Sequence, residues 1–186
     1  MASDITAESA PASGSPPAAA DIAAILRERN WLGTSRELDD NPALEAWLGR
    51  AAELLGPHAS DREALASLLA LVFTYDAATL VEQRESQAVI VRSGAREVIR
   101  ELGNRLLDGG EVDSDRFKEI IEGIKSALPY RSRALFQPIR LVLAGRAGEG
   151  ELDRVILLLD AAARLSFAMP VKGTRQRMLE FCAALD

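Results

Sequence analysis

The stretch "PYRSRALFQPIRLVLAGRAGEGEL", residues 129–152, is both cationic and apolar, with four arginines before its first acid, Glu149. A helical rotation of 100° per residue places five apolar side chains on one broad face: Leu135, Phe136, Ile139, Val142 and Leu143. The opposite face holds Arg133, Gln137, Arg140 and Ala144. The pattern predicts a helix that docks on a core through its apolar face and presents its arginines at the surface.

Pro138 lies in the middle of this stretch and removes one backbone donor. It predicts a kink, or two helical pieces meeting near Gln137. Gly145 predicts the end of the helix, and "GELDRVILLL" predicts the start of another. The free N–H groups of that second start, near Glu149 to Leu152, are placed to receive an anion or a base edge.

The composition of the whole chain favours packed helices. Its 186 residues are 48% hydrophobic and only 5% aromatic, whereas strands are typically rich in aromatic and β-branched residues. Helix starts are indicated at Asp21, at Asn41, at Ser60 or Asp61, and at Asp113 or Ser114. The stretch "ATLVEQRESQAVIVRSG" fits a short strand or a broken helix, and helix is favoured. We predict an all-α helical bundle.

The chain divides into three parts by composition. Residues 1–20 form an Ala/Ser/Pro-rich tail with little to bury, which predicts disorder. Residues 21–60 are predicted to form an N-terminal helical extension, and residues 61–186 the main bundle.

Charge is distributed unevenly along the chain. The net charge is −6, which is unlike the basic body of an ordinary nucleic-acid-binding protein. Residues 129–186 carry nine cationic and six acidic side chains, a net charge of +3, whereas residues 1–128 carry 13 and 22, a net charge of −9. This asymmetry points to a polyanion or an acidic partner near the C-terminal end. The alternative is a chance distribution with an acidic, solvated face.

Sequence signals for location and catalysis are few. One cysteine, Cys182, forms no internal disulfide, the N-terminus lacks the pattern of a secretory signal, and "ALASLLALVF" is too short to span a bilayer. We therefore expect a cytoplasmic protein with no membrane partner. His58 is the only histidine and is expected at the surface, while Cys182 is expected on the core side of a final helix. "GRAGEG" lacks the Gly-Lys-Ser/Thr ending of a phosphate loop. No catalytic residue, metal site or cofactor is predicted.

The segment "RSRALFQPIRLVLAGRAGEGELDRVILLL" resembles the C-terminal anticodon-binding domain of bacterial-type glutamyl-tRNA synthetases. In that family a basic pair precedes A-L-F-x-P-[IL]-R, followed by an apolar run, a glycine, a short loop and a leucine-rich helix. The resemblance implies a helical anticodon-binding domain over residues 61–186. The family's catalytic signatures, HIGH-like and KMSKS-like, do not occur here. The resemblance therefore implies a stand-alone, non-catalytic protein that does not activate an amino acid.

The resemblance also implies a partner and a site. The partner is tRNA or another structured RNA, with a glutamyl-tRNA synthetase or another protein as a further candidate. Positions that help the family read an anticodon correspond here to Arg140, Glu149, Gly150 and Leu152, and the cations Arg131, Arg133 and Arg146 complete the predicted RNA-binding set.

Two features depart from the family pattern. The family often has Thr-Pro or Gly-Pro where this chain has Glu149 and Gly150, and its usual ending is shorter than residues 161–186. One alternative function therefore stays open, a protein-interaction or regulatory scaffold that kept the fold and lost RNA binding. The alternative role for the arginines is to complement the dipoles of helix ends and to pair with acids.

Overall fold

The computed structural model describes residues 17–33 and 41–185, and all regular secondary structure in these ranges is helical. This confirms the all-α prediction. The α-helices in these ranges are α1 (Ala19–Glu28), α2 (Pro42–Leu55), α3 (Arg62–Phe73), α4 (Ala77–Glu82), α5 (Arg84–Ile90), α6 (Ala95–Leu107), α7 (Ser114–Ala127), α8 (Ser132–Ala144), α9 (Glu151–Ala163) and α10 (Thr174–Leu185). A single turn of 3-10 helix, Gly56–His58, follows α2. The predicted disordered tail lies outside the described residues as far as residue 16.

Side-chain caps fix where several helices begin. The Asn41 side chain accepts a hydrogen bond from the Leu44 amide at 3.1 Å, and Asp61 accepts one from Ala64 at 2.8 Å. Both satisfy first-turn N–H groups that have no partner inside the helix, as predicted. The predicted cap at Asp21 was wrong by one turn. Asp21 is the third residue of α1, and its carboxylate accepts from the backbone N–H of Ala18.

The ambiguous stretch of residues 78–94 is helical but broken. The helices α4 and α5 are separated at Gln83, which has extended backbone angles and serves as the N-cap of α5. Asp76 begins α4, and its carboxylate accepts from the hydroxyl of Thr79 at 2.6 Å. The preference for helix over strand is confirmed.

One hydrophobic core runs through the bundle, from Ile22 in α1 to Phe181 in α10. The helices α8 and α9 pack against each other at its centre, with α2 and α3 against α9 and with α6 and α10 against α8. The indole N–H of Trp47 in α2 donates to the buried carbonyl of Leu158 in α9 at 3.1 Å. The core is therefore continuous across residue 60, where the division into extension and bundle stays a prediction.

A fully buried arginine joins α10 to the rest of the bundle. The Arg177 guanidinium donates to the carbonyls of Leu71 at 3.0 Å and Val72 at 2.7 Å in the last turn of α3, and to Leu143 at 2.8 Å in the last turn of α8. Its Nε donates to Lys172 at 2.9 Å. Because the C-terminal end of a helix carries partial negative charge, two such ends stabilise the buried cation.

Tyr75 completes the surroundings of this arginine. Its ring centroid lies 4.5 Å from the Arg177 guanidinium carbon, and its hydroxyl donates to the carbonyl of Val142 at 2.7 Å. Burial lowers the pKa of Arg177 to about 10, which leaves the guanidinium charged at neutral pH. Cys182, one turn further along α10, is exposed, so its expected position on the core side was wrong. In the described ranges no helix has the length and apolar character needed to cross a membrane.

Candidate nucleic-acid interface

Helix α8 runs without interruption from Ser132 to Ala144, so the prediction of two helical pieces meeting near Gln137 was wrong. A proline inside a helix deprives the carbonyl four residues earlier of its donor. That carbonyl belongs to Ala134, an exposed residue on the outer side of the first turns of α8. Solvent can satisfy it there, and the helix continues through the proline.

The predicted apolar face of α8 is correct except at Phe136, whereas the predicted outer face is exposed in the first half of the helix only. Leu135, Ile139, Val142 and Leu143 are fully buried and Arg133 is exposed, as expected. Phe136 is only half-buried, whereas the prediction placed it in the core. On the face predicted to be solvent-exposed, Ala144 is fully buried and Arg140 is 9% exposed. Arg140 is covered because Asp153, in the first turn of α9, and the Gly148 carbonyl of the α8–α9 loop lie against its guanidinium.

Arg140 is held by three hydrogen bonds. Its Nε and Nη2 donate to the two carboxylate oxygens of Asp153 at 2.7 and 2.8 Å, and its Nη1 donates to the carbonyl of Gly148 at 2.9 Å. These bonds to Asp153 raise the pKa of Arg140. The Phe136 ring centroid lies 5.0 Å from the guanidinium carbon. Arg140 therefore joins α8, the loop and the first turn of α9.

The other predicted arginines differ in how freely they can meet a ligand. Arg133 is exposed and forms an ion pair of 3.6 Å with the exposed Glu149. Arg146 is also exposed, and within the described residues it has no ion pair. Arg131 folds back to donate to the carbonyls of Leu128 at 2.8 Å and Tyr130 at 2.7 Å, just after α7 ends. The contacts of Arg131 therefore fit the alternative role of an arginine that complements the dipole of a helix end.

The start of α9 divides the remaining predicted residues. Glu149 and Gly150 are exposed in the loop, and Gly150 is the N-cap of α9 without a side-chain cap. Leu152 is fully buried, so its side chain belongs to the core instead of the surface. Of the predicted RNA-binding set, five residues have exposed groups around this edge: Arg131, Arg133, Arg146, Glu149 and Gly150.

Two adjoining clefts flank the first turns of α8 and share Arg133 and Gln137. The first, with a volume of about 340 Å³, lies toward the α8–α9 loop, where Phe136, Arg140 and Glu149 line it. The second, of about 280 Å³, lies toward the α5–α6 turn and is mostly apolar. Arg92 lines this second cleft and contacts the side-chain oxygen of Gln137. Sequence reasoning missed Arg92 because 45 residues separate it from Gln137.

Gly94 and Tyr130 place the α7–α8 connection beside the α5–α6 turn. Gly94, the N-cap of α6, has a φ of 84°, and a Cβ atom there would lie 2.1 Å from Cζ of Tyr130. Any larger residue is excluded by backbone conformation and by space. The Tyr130 hydroxyl donates to Glu97 at 3.2 Å, and desolvation together with the negative charge of Glu97 raises the pKa of Tyr130. The α7–α8 connection, with Arg131 and Arg133, is thereby fixed beside the α5–α6 turn.

Among the described residues, no group of three or more His, Cys, Asp or Glu side chains could hold a metal ion. His58 is exposed at the end of the 3-10 turn.

A family model described as an anticodon binding domain matches residues 19–165, which contain the whole of the predicted site and the helices α1 to α9. No curated protein and no solved structure matches the chain.

Proposed function

Because this chain belongs to the anticodon binding domain family, we propose that it binds tRNA along the exposed edge formed by α8 and the α8–α9 loop. Family membership indicates a tRNA partner in general. The finer proposal is a stand-alone, non-catalytic cytoplasmic protein similar to the anticodon-binding domain of a glutamyl-tRNA synthetase. A synthetase or another protein is a further candidate partner on the same grounds.

The position of Arg133 carries this proposal. It lines both clefts, and its side chain keeps 69% of its exposure although Glu149 lies 3.6 Å away. A long, solvated ion pair of this kind contributes little, so exchanging Glu149 for an RNA phosphate costs little. The half-buried Phe136 ring in the first cleft offers an aromatic surface on which a base can stack.

Arg140 has a supporting role in this proposal. Asp153 and Gly148 occupy all three of its guanidinium nitrogens, so it has no nitrogen atom free of a protein acceptor for a base edge. Its bonds hold the loop that carries Arg146, Glu149 and Gly150, and the buried Leu152 anchors the same loop from below. Arg131 contributes charge beside Arg133 while its hydrogen bonds go to the end of α7.

The test is binding of total tRNA to the full chain at about 50 mM and about 200 mM salt. Phosphate contacts make affinity fall with salt, with a slope of roughly −0.7 per contact on single-stranded RNA. Arg133→Gln should weaken binding severalfold and make this slope shallower by roughly one contact. The matched control is Arg62→Gln, which removes an exposed arginine paired with Glu28 and should bind as wild type does.

Two results would count against the proposal. Wild-type protein without salt-sensitive tRNA binding at low ionic strength would favour the protein-interaction scaffold. ATP–pyrophosphate exchange above a heat-killed control, with glutamate or any other amino acid, would contradict the non-catalytic assignment. An anticodon-binding domain is itself non-catalytic, so no exchange is expected.

A further inference from the structure

A third cleft lies on the other side of the α9 start from the α8 edge. Its volume is about 430 Å³, and its polar lining comes from three separate elements: His58 in the 3-10 turn, Ser114 and Lys118 in α7, and Arg154 in α9. None of these residues belongs to the site predicted from the sequence. Gly150 and Asp153 line it as well, so residues 148–153 form the ridge between this cleft and the first one.

The cations of this cleft are available to a ligand. Arg154 is exposed, and in the described ranges no acid pairs with it. Lys118 lies 3.5 Å from Asp115, but the two side chains are 76% and 90% exposed, so water screens their attraction. An incoming anion therefore competes with a weak pair on one side and with solvent on the other.

Nearby acids are engaged elsewhere. The carboxylate of Asp153 lies between the guanidinium nitrogens of Arg140, at 2.7 and 2.8 Å. The carboxylate of Asp113 accepts from the backbone amides of Asp115 and Arg116 at 3.0 and 2.8 Å. Their negative charges are thus partly neutralised by donors outside the cleft, while Lys118 and Arg154 face into it.

Two further hydrogen-bonding side chains complete the lining. Within the described residues, neither the imidazole of His58 nor the hydroxyl of Ser114 has a hydrogen-bond partner. A phosphate group presents several acceptor oxygens, and two cations from separate helices together with these two donors suit it. A neutral or cationic ligand would gain no attraction from these two cations.

We propose that the cleft between His58, Lys118 and Arg154 binds a backbone phosphate of the RNA that crosses the start of α9. This inference rests on the proposed tRNA binding. It extends the contact surface beyond the α8 edge, so the RNA strand passes over the ridge of residues 148–153 with cations on both sides. Lys118 and His58 belong to residues 1–128, the half with a net charge of −9, so the cleft places a cation of that acidic half beside Arg154.

The experiment compares the double variant Lys118→Gln/Arg154→Gln with wild type in the same tRNA titrations. Loss of one phosphate contact should make the salt slope shallower by roughly 0.7 and lower the affinity about three- to tenfold at low salt. The melting temperature should stay unchanged because both side chains lie at the surface. The matched control, Arg27→Gln/Arg84→Gln, removes the same charge from exposed positions on α1 and α5 and should keep the wild-type slope.

The outcomes separate this inference from the proposed function. A double variant that binds as the control does, while Arg133→Gln is weakened, would overturn the cleft alone. The reverse result would support the cleft and count against the α8 edge, and a wild type that does not bind tRNA would overturn both. Exchange of chloride for inorganic phosphate at equal ionic strength tests the source of the anion. NMR shows whether phosphate shifts the amide resonances of Ser114 and Gly150. If it does, and the double variant keeps the tRNA affinity of wild type, the cleft is a site for free anions and the RNA assignment is overturned.

Discussion

Two buried arginines of this protein are stabilised in different ways. Arg140, at the edge of the candidate interface, faces a carboxylate, a carbonyl and an aromatic ring. Arg177, in the centre of the bundle, has no carboxylate within ion-pair distance in the described ranges and donates to four backbone carbonyls. Both satisfy the rule that a buried cation needs acceptors for its donors. One uses a counter-charge, and the other uses the negative ends of helices.

The difference separates a site residue from a fold residue. The side chains of Arg140 and Asp153 keep 11% and 23% of their exposure, so their pair lies within reach of solvent and of a ligand beside the loop. Arg177 is fully enclosed, and its acceptors belong to α3, α8 and the segment before α10. The resemblance alone therefore does not make Arg140 a ligand contact, because Asp153 and Gly148 already accept from its guanidinium.

The largest expected effect is on Arg177. Arg177→Ala leaves the buried carbonyls of Leu71, Val72 and Leu143 without donors and opens space beneath Tyr75, so it should lower the free energy of unfolding by about 3–5 kcal/mol. Urea denaturation measures this. Arg175→Ala, two residues earlier on the exposed side of the same helix, is the control and should cost below about 1 kcal/mol. Equal losses for the two variants would show that the buried contacts contribute nothing special.

A smaller loss is expected for Arg140. Arg140→Ala removes two charge-assisted hydrogen bonds to Asp153 and should lower the free energy of unfolding by about 2–3 kcal/mol. Arg133→Ala, about two helical turns earlier on the same face of α8, should change the free energy of unfolding by less than about 0.5 kcal/mol. A double-mutant cycle with Asp153→Ala isolates the coupling between the two side chains. If Arg140→Ala melts like wild type while tRNA binding falls, Arg140 is a direct RNA contact and our comparison fails.

The smallest expected effect concerns the ring that covers Arg140. Phe136→Ala should cost about 1–2 kcal/mol, below the roughly 3–5 kcal/mol of a fully buried phenylalanine, because Phe136 is only half-buried. Ile139→Ala, fully buried on the same helix, should cost more, about 2–5 kcal/mol. Thermal melting of both variants checks the order. A larger loss of stability for Phe136→Ala than for Ile139→Ala would show that this ring belongs to the core, as the sequence pattern predicted.

The sequence predicted the fold well where a local signal was sufficient. The caps at Asn41, Asp61 and Asp113 are short-range hydrogen bonds within a few residues. Pro138 shows the limit. A proline raises the cost of a helix locally, but the buried residues on either side pack against the core and Ala134 is exposed, so the helix continues.

The site was harder to predict because its geometry depends on which turns of α8 are covered. A helical wheel places Arg133 and Arg140 on one face, and they do share it, but the returning loop buries only the second of them. Asp153 was visible as an acid in the first turn of α9, and its distance of 13 residues from Arg140 gave no sign of their pairing. Arg92 and the cleft around Lys118 and Arg154 arise from contacts between helices that are remote in sequence.

The carbonyl contacts of Arg177 also bear on the order in which the bundle folds. Its partners Leu71 and Val72 lie 106 and 105 residues earlier in the chain, whereas α8 and α9 are joined by a short loop. Contacts that close so long a loop carry a larger entropic cost than local ones, so we expect them to form after the main folding barrier. The contacts of Arg177 should then act chiefly by slowing unfolding. We therefore expect α10, although it lies beyond the family match at residue 165, to prolong the lifetime of the folded bundle.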